Sequence, residues 1–425
     1  MRSSIYRRII EMIFPLFLIS FFLLPNEALA TSQWAKKFNL PCQTCHTVFP
    51  RLNSYGEQFL RNGYQLESTY KSNPDDQYSI NADGVFLNDL SNLFGVRINF
   101  TPFLLETNSF QKDATSSKTT KITFSNPNWI QTFAAGSLFK DVSFFTEMQY
   151  NESSFHFSWY YLNFTNIGGT SAFNIQVGSL SPMQFTSYPN RLRMFAAIKN
   201  MSMDIKSSNG LGESSVNMSS ARKGIQYYGY GDVFTVYAGI SPGSKAASIG
   251  QTLGYWGGIT LRMPSTSSRD FEGSTLTLHY YGGTDTKNTG ATSVRQLENK
   301  YTRFSPQVAI RYKDKLDIQA AYVIAKDDNW NLVASPTSDF KYNGIGIAAR
   351  YMIDDKWSCG IQYDKYDSDN EIAGIKILDY NKIVPTLTYV MNGNMSITAY
   401  YEANLLDLPT DTKVNKFYIN LRAMF

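Results

Sequence analysis

The sequence predicts a mainly β protein: an antiparallel transmembrane β-barrel of about sixteen strands, with a small N-terminal helical module that plugs its lumen. Three observations lead to this fold class. Aromatic residues make up 15% of the chain and charged residues 17%, where soluble domains carry about 25% charged residues. Residues 92–425 alternate apolar and polar side chains with a period of two. The connections between the predicted strands alternate between short and long, which is typical of barrels that face lipid outside and water inside.

The first thirty residues are predicted to be a cleaved secretory signal. Arg2, Arg7 and Arg8 form a basic start, residues 13–24 are apolar, and a small-x-small site ends at Ala30. A membrane anchor is the alternative, but the apolar stretch is shorter than the ~20 residues that a helix needs to span a bilayer. We therefore expect export and cleavage. The formal net charge of +4 gives no reason to expect a nucleic-acid partner.

A five-residue motif lies just after the signal. Residues 42–46 read Cys-Gln-Thr-Cys-His, which is the attachment pattern of c-type haem. Cys42 and Cys45 would bind the vinyl groups of the porphyrin, and His46 would be the proximal axial ligand of the iron. A zinc site needs four ligands, and the chain has only three Cys and three His. We expect one covalently attached haem c.

The residues behind this motif predict a compact module. Apolar and aromatic side chains recur at helical spacing and would cover the haem edge: Phe49, Leu52, Tyr55, Phe59 and Tyr64. The cytochrome module is predicted over 31–71, with a connector over 72–91 and the barrel over 92–425. A module this short is marginal on its own, and the barrel lumen would supply the missing burial.

The predicted strands are read from the alternation of side chains. Sixteen are expected, beginning near residues 93, 128, 142, 155, 171, 222, 233, 253, 272, 302, 315, 341, 356, 378, 394 and 415. The last strand is the clearest, with one apolar face formed by Phe417, Ile419, Leu421, Ala423 and Phe425. A C-terminal Phe on such a strand looks like the recognition signal of bacterial outer-membrane barrels.

The connections predict the orientation in the membrane. Tight turns are expected at Lys140-Asp141, Gly231-Asp232, Lys313-Asp314, Asp354-Asp355 and Asn392-Gly393, and long links near 106–127, 181–221, 284–301 and 327–340. Barrels of this class have short periplasmic turns and long external loops. Both chain ends are therefore predicted on the periplasmic side of a bacterial outer membrane.

Several side chains are candidates for a role near the haem. The link 181–221 holds five of the thirteen Met residues. We take Met183 as the distal iron ligand, against the alternative that these residues simply pack. His279, which the alternation turns toward the lumen, is the other candidate. Arg191 and Arg193 would pair with haem propionates or form a solvated loop face.

The third cysteine is assigned no chemical role. Cys359 shares a strand face with Trp357, Ile361 and Tyr363, and this apolar face is predicted to meet lipid.

The two parts together resemble the fused cytochrome–porin family of outer-membrane proteins, whose best-known members are iron(II) oxidases. The matching residues are Trp34-Ala35-Lys36, Cys42-x-x-Cys45-His46, Phe49-Pro50-x-Leu52-Asn53-x-Tyr55-Gly56, Phe59 and Gly63-Tyr64, where x is any residue. Where the iron oxidases carry an aromatic-Ala-Arg triplet, this chain has Trp-Ala-Lys. The resemblance implies electron transfer from an extracellular donor, Fe(II), to a periplasmic cytochrome or copper protein.

A second function class fits the same residues. The haem module would then be a structural plug or gate in a porin for transport or sensing. A conductance that changes with the redox state of the haem would distinguish this hypothesis from electron transfer.

Overall fold

The structure of the chain is a computed structural model. It describes residues 33–65 without 39 and 49, the pieces 80–81 and 85–86, and the range 94–424 without 113–114, 125–126, 152–153, 196, 205–216, 243–248, 265, 289–295, 331–338, 369–370, 373–374, 377–379, 393–394 and 407–412. The predicted signal 1–30, most of the connector 72–91, Phe49 and Phe425 lie outside the described residues. No helix in the described part of the chain is long and apolar enough to cross a membrane.

Most described residues lie in β-strands. The strands that form the barrel are β1 Phe94–Lys112, β2 Thr115–Thr123 and Pro127–Phe139, β3 Val142–Asn151, β4 Ser154–Phe164, β5 Asn174–Leu180, β6 Arg222–Tyr230, β7 Phe234–Ser241, β8 Ile249–Arg262, β9 Thr275–Asn288, β10 Gln296–Tyr312, β11 Leu316–Asp327, β12 Phe340–Met352, β13 Trp357–Ser368, β14 Tyr380–Asn392, β15 Met395–Asn404 and β16 Lys413–Met424. Each predicted start lies within about six residues of an observed strand.

These strands close into one antiparallel barrel. Each strand pairs with its neighbours in sequence, and β16 pairs with β1, with Met424 opposite Arg97. The two segments of β2 count as one interrupted strand, because both run antiparallel to β1. The first segment pairs with the second half of β1, and the second segment with its first half. The described strands thus form the predicted sixteen-stranded barrel.

Two predicted links differ from the structure. The link expected over 284–301 is shorter, because β9 continues to Asn288 and β10 begins at Gln296. The larger difference lies in the first link. We expected a long loop over 106–127, but β1 continues to Lys112 and the first segment of β2 pairs with it from Thr115. The sequence there is polar on both faces, Thr115–Thr123 reading TSSKTTKIT. A strand that extends beyond the lipid needs no apolar face, so the alternation on which the prediction relied is absent.

The two faces of the barrel wall differ as the alternation predicts. In β9, Leu276 and Leu278 are 49% and 47% exposed, whereas Thr277 and His279 are 0% exposed. Cys359 is exposed beside Trp357 on the outer face of β13. An apolar exterior around a polar interior is expected of a wall between lipid and an aqueous lumen.

Residues 33–65, which we call the N-terminal segment, hold two short helices, α1 Gln33–Phe38 and α2 Ser54–Arg61, and a 3₁₀ turn over Cys42–Thr44. The segment lies inside the end of the barrel that holds the tight turns, here called the turn side. There the Gln65 amide donates to the carbonyl oxygens of Phe139 and Val142 at 3.0 and 3.3 Å.

The long link between β5 and β6 also enters the lumen. The Ser187 hydroxyl lies 2.8 Å from that of Thr277 on β9, and the Tyr188 N–H donates to Gln307 of β10 at 2.9 Å. Arg350 of β12 donates to the Met194 carbonyl. The described parts of this link are 181–204 except residue 196, together with 217–221. They therefore lie between the N-terminal segment and the barrel wall of β9, β10 and β12.

Candidate functional site

The Cys-Gln-Thr-Cys-His motif forms a tight turn. The N–H groups of Cys45 and His46 both donate to the Cys42 carbonyl, at 3.2 and 3.0 Å. Burial raises the pKa of both thiols, that of Cys45 to about 11, so both are protonated at neutral pH. Burial also lowers the pKa of His46 to about 4. The imidazole is therefore neutral, which is the form that ligates metals.

Helix α2 holds the motif turn in place. The Asn53 side-chain oxygen accepts from the Gly56 N–H at 2.9 Å and caps the helix. The amide nitrogen of the same side chain donates to the carbonyls of Gln43 and Thr44 at 3.1 and 3.0 Å, and the Asn53 N–H donates to the Cys45 carbonyl at 2.9 Å. One residue thus starts the helix and fixes the turn that carries both cysteines.

Gly56 allows the helix and the turn to approach closely. A Cβ at this position would collide with the Cys45 carbonyl. We expect Gly56→Ala to displace the motif and to reduce the covalently bound haem per chain several-fold, which haem staining of the purified barrel measures. Gln58→Ala, an exposed change on the same helix, should leave the haem content unchanged. Equal haem content in both variants would show that this packing is not required.

Aromatic side chains form a cluster next to the motif turn. Trp34 stacks on Tyr64 with ring centroids 4.4 Å apart and meets Phe59 edge to face at 5.8 Å. Barrel residues continue this cluster: Phe145 lies 5.9 Å from Tyr64, whose hydroxyl is 2.5 Å from that of Tyr161. The N-terminal segment and the wall of β3 and β4 therefore share one apolar core.

A cavity lies between the motif and the barrel wall. It contains about 970 Å³ of empty space, including solvent at its open side. Its lining includes all three sequence-predicted haem residues, Cys42, Cys45 and His46, and it reaches Arg191 and Met424 on the barrel side. We call it the motif cavity. Ligand sites of cofactor size have volumes of roughly 300–1,000 Å³ and mostly apolar walls.

The residues around the motif cavity fit a haem c. The two thiols and the imidazole lie on one wall, as the attachment chemistry requires. Trp34 also lines the cavity, and its buried Nε1 has no hydrogen-bond partner. A buried indole N–H normally has an acceptor, so this donor suits a bound group that brings one. Arg191, whose Nη1 donates to Tyr161 at 3.2 Å, adds a cation to the lining of the cavity.

The structure does not bring the two candidate distal ligands to this cavity. Met183 is 0% exposed within the inward link, and His279 is 0% exposed on β9, where its Nδ1 lies 2.9 Å from the Tyr237 hydroxyl. Neither lines the motif cavity. Met424, which sequence reasoning did not single out, is the one Met in the described part of the chain that does. Its inward position is visible in the alternation of β16, where Tyr418, Asn420 and Arg422 are also turned inward and buried.

A buried charge cluster joins the N-terminal segment to three strands. The Glu57 carboxylate contacts Arg311 at 2.6 Å, Arg262 at 3.2 Å and Arg51 at 3.5 Å. Arg51 also donates to Asp317 at 2.8 Å. Burial favours the protonated form of Glu57, but the three guanidinium groups outweigh it and lower the pKa of this carboxyl. Glu57 is therefore ionised at neutral pH.

The lumen holds a larger and more polar cavity of about 2,450 Å³, open solvent included. It shares Arg97 and Arg191 with the lining of the motif cavity and extends to Lys223 and Ser241, at the strand ends opposite the turn side. The charged residues that line it are Arg97, Glu147, Arg191, Arg193, Lys199, Asp204, Arg222, Lys223 and Arg422. We call it the basic lumen cavity, because cations outnumber anions by seven to two.

Comparisons with known proteins support the barrel only. No family model and no curated protein matches the chain. Among solved structures, the chain is similar to the anion-selective porin from Comamonas acidovorans, with a TM-score of 0.53 and 11% identity over 78% of this chain and 98% of that one. It is also similar to the outer membrane channel DcaP of Acinetobacter baumannii, with a TM-score of 0.50 and 8% identity over 82% and 100%. At these identities the likeness shows the fold alone, a closed barrel of the porin type.

Proposed function

We propose that this chain is a bacterial outer-membrane barrel that carries one haem c and passes electrons from an external donor to a periplasmic acceptor. The observation that carries the proposal is the motif cavity. Cys42, Cys45 and His46 share one wall of a cavity of cofactor size, and the barrel closes the other side. Both chain ends are proposed to face the periplasm, as the short turns on the turn side indicate.

Each residue of the cavity has a defined role in this proposal. A bound haem would supply a one-electron carrier that cannot dissociate. Cys42 and Cys45 would hold it covalently, and His46 would ligate its iron. Asn53 keeps the motif turn in register with α2, and the stacked Trp34 and Tyr64 exclude water from the apolar side.

Met424 is the side chain that we propose would ligate the haem iron together with His46. It lines the same cavity as His46. A thioether ligand raises the potential of a haem relative to a second imidazole. A raised potential would favour electron transfer from Fe(II), the donor that the family resemblance implies.

The two ends of the barrel suit two different partners. The motif cavity lies toward the turn side, which supports an acceptor in the periplasm such as a cytochrome or copper protein. The basic lumen cavity extends from it toward the opposite end, which supports access by a small donor from outside. The excess of positive charge there favours anionic iron complexes over the hydrated Fe²⁺ ion.

The proposal is tested on the purified full-length barrel in detergent. A pyridine haemochrome spectrum should give one haem c per chain, and Cys42→Ser should reduce covalent haem strongly. Anaerobic stopped-flow mixing with Fe(II) citrate should then reduce the haem on a sub-second scale. A chain without covalent haem would overturn the cofactor. A loaded chain that Fe(II) complexes do not reduce, but another donor does, would overturn the iron donor alone.

A second candidate function is an anion-conducting porin in which the N-terminal segment is a plug. The basic lumen cavity favours it, because fixed positive charges concentrate anions in a pore. The porin-like fold supports this candidate more directly than it supports electron transfer. Reversal potentials in planar bilayers under a KCl gradient would give the selectivity, with Lys223→Glu expected to reduce it. A barrel that passes no current would exclude a conducting pore.

A further inference from the structure

A second cavity lies on the other side of α2 from the motif turn. It contains about 450 Å³ of empty space, part of it open to solvent, between α2, residues 184–192 of the inward link and the inner faces of β7, β8 and β9. Three arginines line it, Arg51, Arg61 and Arg262, and one carboxylate, Glu57. The lining is therefore positive by two charges. We call it the arginine cavity.

Three side chains in the arginine cavity carry buried donor atoms that lack an acceptor. Arg61 is 6% exposed, and neither its Nε nor its Nη1 has a hydrogen-bond partner. Its guanidinium lies over the Tyr230 ring at 5.4 Å, which stabilises the charge but accepts no hydrogen bond. The Nε and Nη1 of Arg262 and the Nε2 of Gln184 are likewise buried without partners.

The carboxylates nearby are already paired. Both Glu57 oxygens are shared among Arg51, Arg262 and Arg311, and Asp317 pairs with Arg51. Native structures rarely leave buried donors unsatisfied, and each exception calls for an explanation such as a bound ion. Unsatisfied donors on three different elements that line one positive cavity are best explained by a shared ligand.

We propose that the arginine cavity binds an oxyanion, a phosphate or carboxylate group with two or more acceptor oxygens. The guanidinium group presents a planar pair of N–H donors that matches such groups. Gln184 adds a neutral donor from the inward link, so the bound anion would join that link to α2 and to β8. Two negative charges on the bound anion would balance the excess positive charge of the lining.

This ligand chemistry has two sources. One is free inorganic phosphate that enters through the solvent-open part of the cavity. The other is a propionate of the haem, and this source rests on the proposed function. Leu52, Leu60 and Leu192 line both the arginine cavity and the motif cavity, so a propionate that passes these side chains would reach Arg61.

The test uses the full-length barrel purified in phosphate-free buffer and titrated with inorganic phosphate by calorimetry. For a free anion we expect one saturable site, weakened at least tenfold in Arg61→Gln and less in Arg61→Lys. Arg269→Gln changes an exposed arginine on the turn side and should bind like the unaltered chain. If the ligand is a haem propionate, we expect no phosphate binding. The pH dependence of the haem potential should then change in Arg61→Gln and stay unchanged in Arg269→Gln.

The proposal is overturned if phosphate does not bind and the pH dependence of the potential is the same in both variants. It is equally overturned if phosphate binds with an affinity that Arg61→Gln does not change. A chain that lacks haem but binds phosphate through Arg61 would reject the proposed cofactor and keep the anion site. Gln184→Ala, which removes a donor without removing a charge, should weaken the same binding and guards against a folding defect in the Arg61 variants.

Discussion

Replacing Glu57 by Gln is expected to loosen the N-terminal segment from the barrel. The carboxylate contacts Arg51, Arg262 and Arg311, and the neutral amide would leave three buried cations without their common anion. Removing one partner of a buried ion pair costs about 3–5 kcal/mol. Opening of α2 would then become about a hundredfold to a few thousandfold more frequent. Hydrogen exchange of the α2 amides measures this directly.

Acid should weaken the same contact. The pKa of Glu57 lies below its usual value of about 4.3 because the guanidinium groups outweigh the effect of burial. A lowered carboxyl pKa contributes stability that is present above the usual pKa and is lost as the pH falls through the lower, native value. Protection of α2 should therefore fall below about pH 4 in the unaltered chain, and Glu57→Gln should lack this step.

The control is a pair of opposite charges at the surface. Asp270 and Lys313 lie 3.5 Å apart on the turn side and are each 53% exposed. Such pairs contribute little to stability, so Asp270→Asn should leave the exchange of α2 unchanged. If Asp270→Asn and Glu57→Gln behave alike, the charge cluster does not hold the segment.

Met424→Leu is expected to have the largest effect on the haem itself. The substitution keeps the size and removes the thioether, so the wall of the cavity is preserved while the ligand is lost. The red absorption band of Met-ligated ferric haem should disappear. The midpoint potential should fall on the order of 0.1 V, a small part of the ≈ 0.8 V range that axial ligands set.

Met183→Leu separates the two methionine hypotheses. Met183 is fully buried in the inward link and does not line the motif cavity. We expect this variant to keep the band and the potential. The opposite result, loss of the band in Met183→Leu and retention in Met424→Leu, would reinstate the ligand predicted from the sequence.

The barrel was predictable because its wall obeys a local rule. Each strand meets lipid on one face and the lumen on the other, so a period of two appears wherever the strand lies in the membrane. The inward orientation of His279 and the outward one of Cys359 follow from their immediate neighbours. Thr115–Thr123 lacks the apolar face, so the alternation rule predicted a loop there.

The candidate site was predictable only in part. The motif 42–46 is contiguous in sequence, so its residues come together by themselves. Glu57 and Arg311 are 254 positions apart, and Met424 meets the motif cavity from the last strand. No local pattern announces such pairs, because closure of the barrel decides which inward residues meet at the turn side. The sequence offered one signal for the charge cluster, an inward Arg near the end of a strand. Many strands of a barrel carry such an Arg, so the signal does not identify the partner.

The motif cavity is built from the first and last described parts of the chain. Cys42 and His46 lie in the N-terminal segment, while Met424 ends β16, the strand whose pairing with β1 closes the ring. A chain interrupted during translation before its final strand would have the attachment motif but neither the closing strand nor the far wall of the cavity. In the proposed function, the finished haem pocket would therefore exist only in copies whose synthesis and barrel closure are complete.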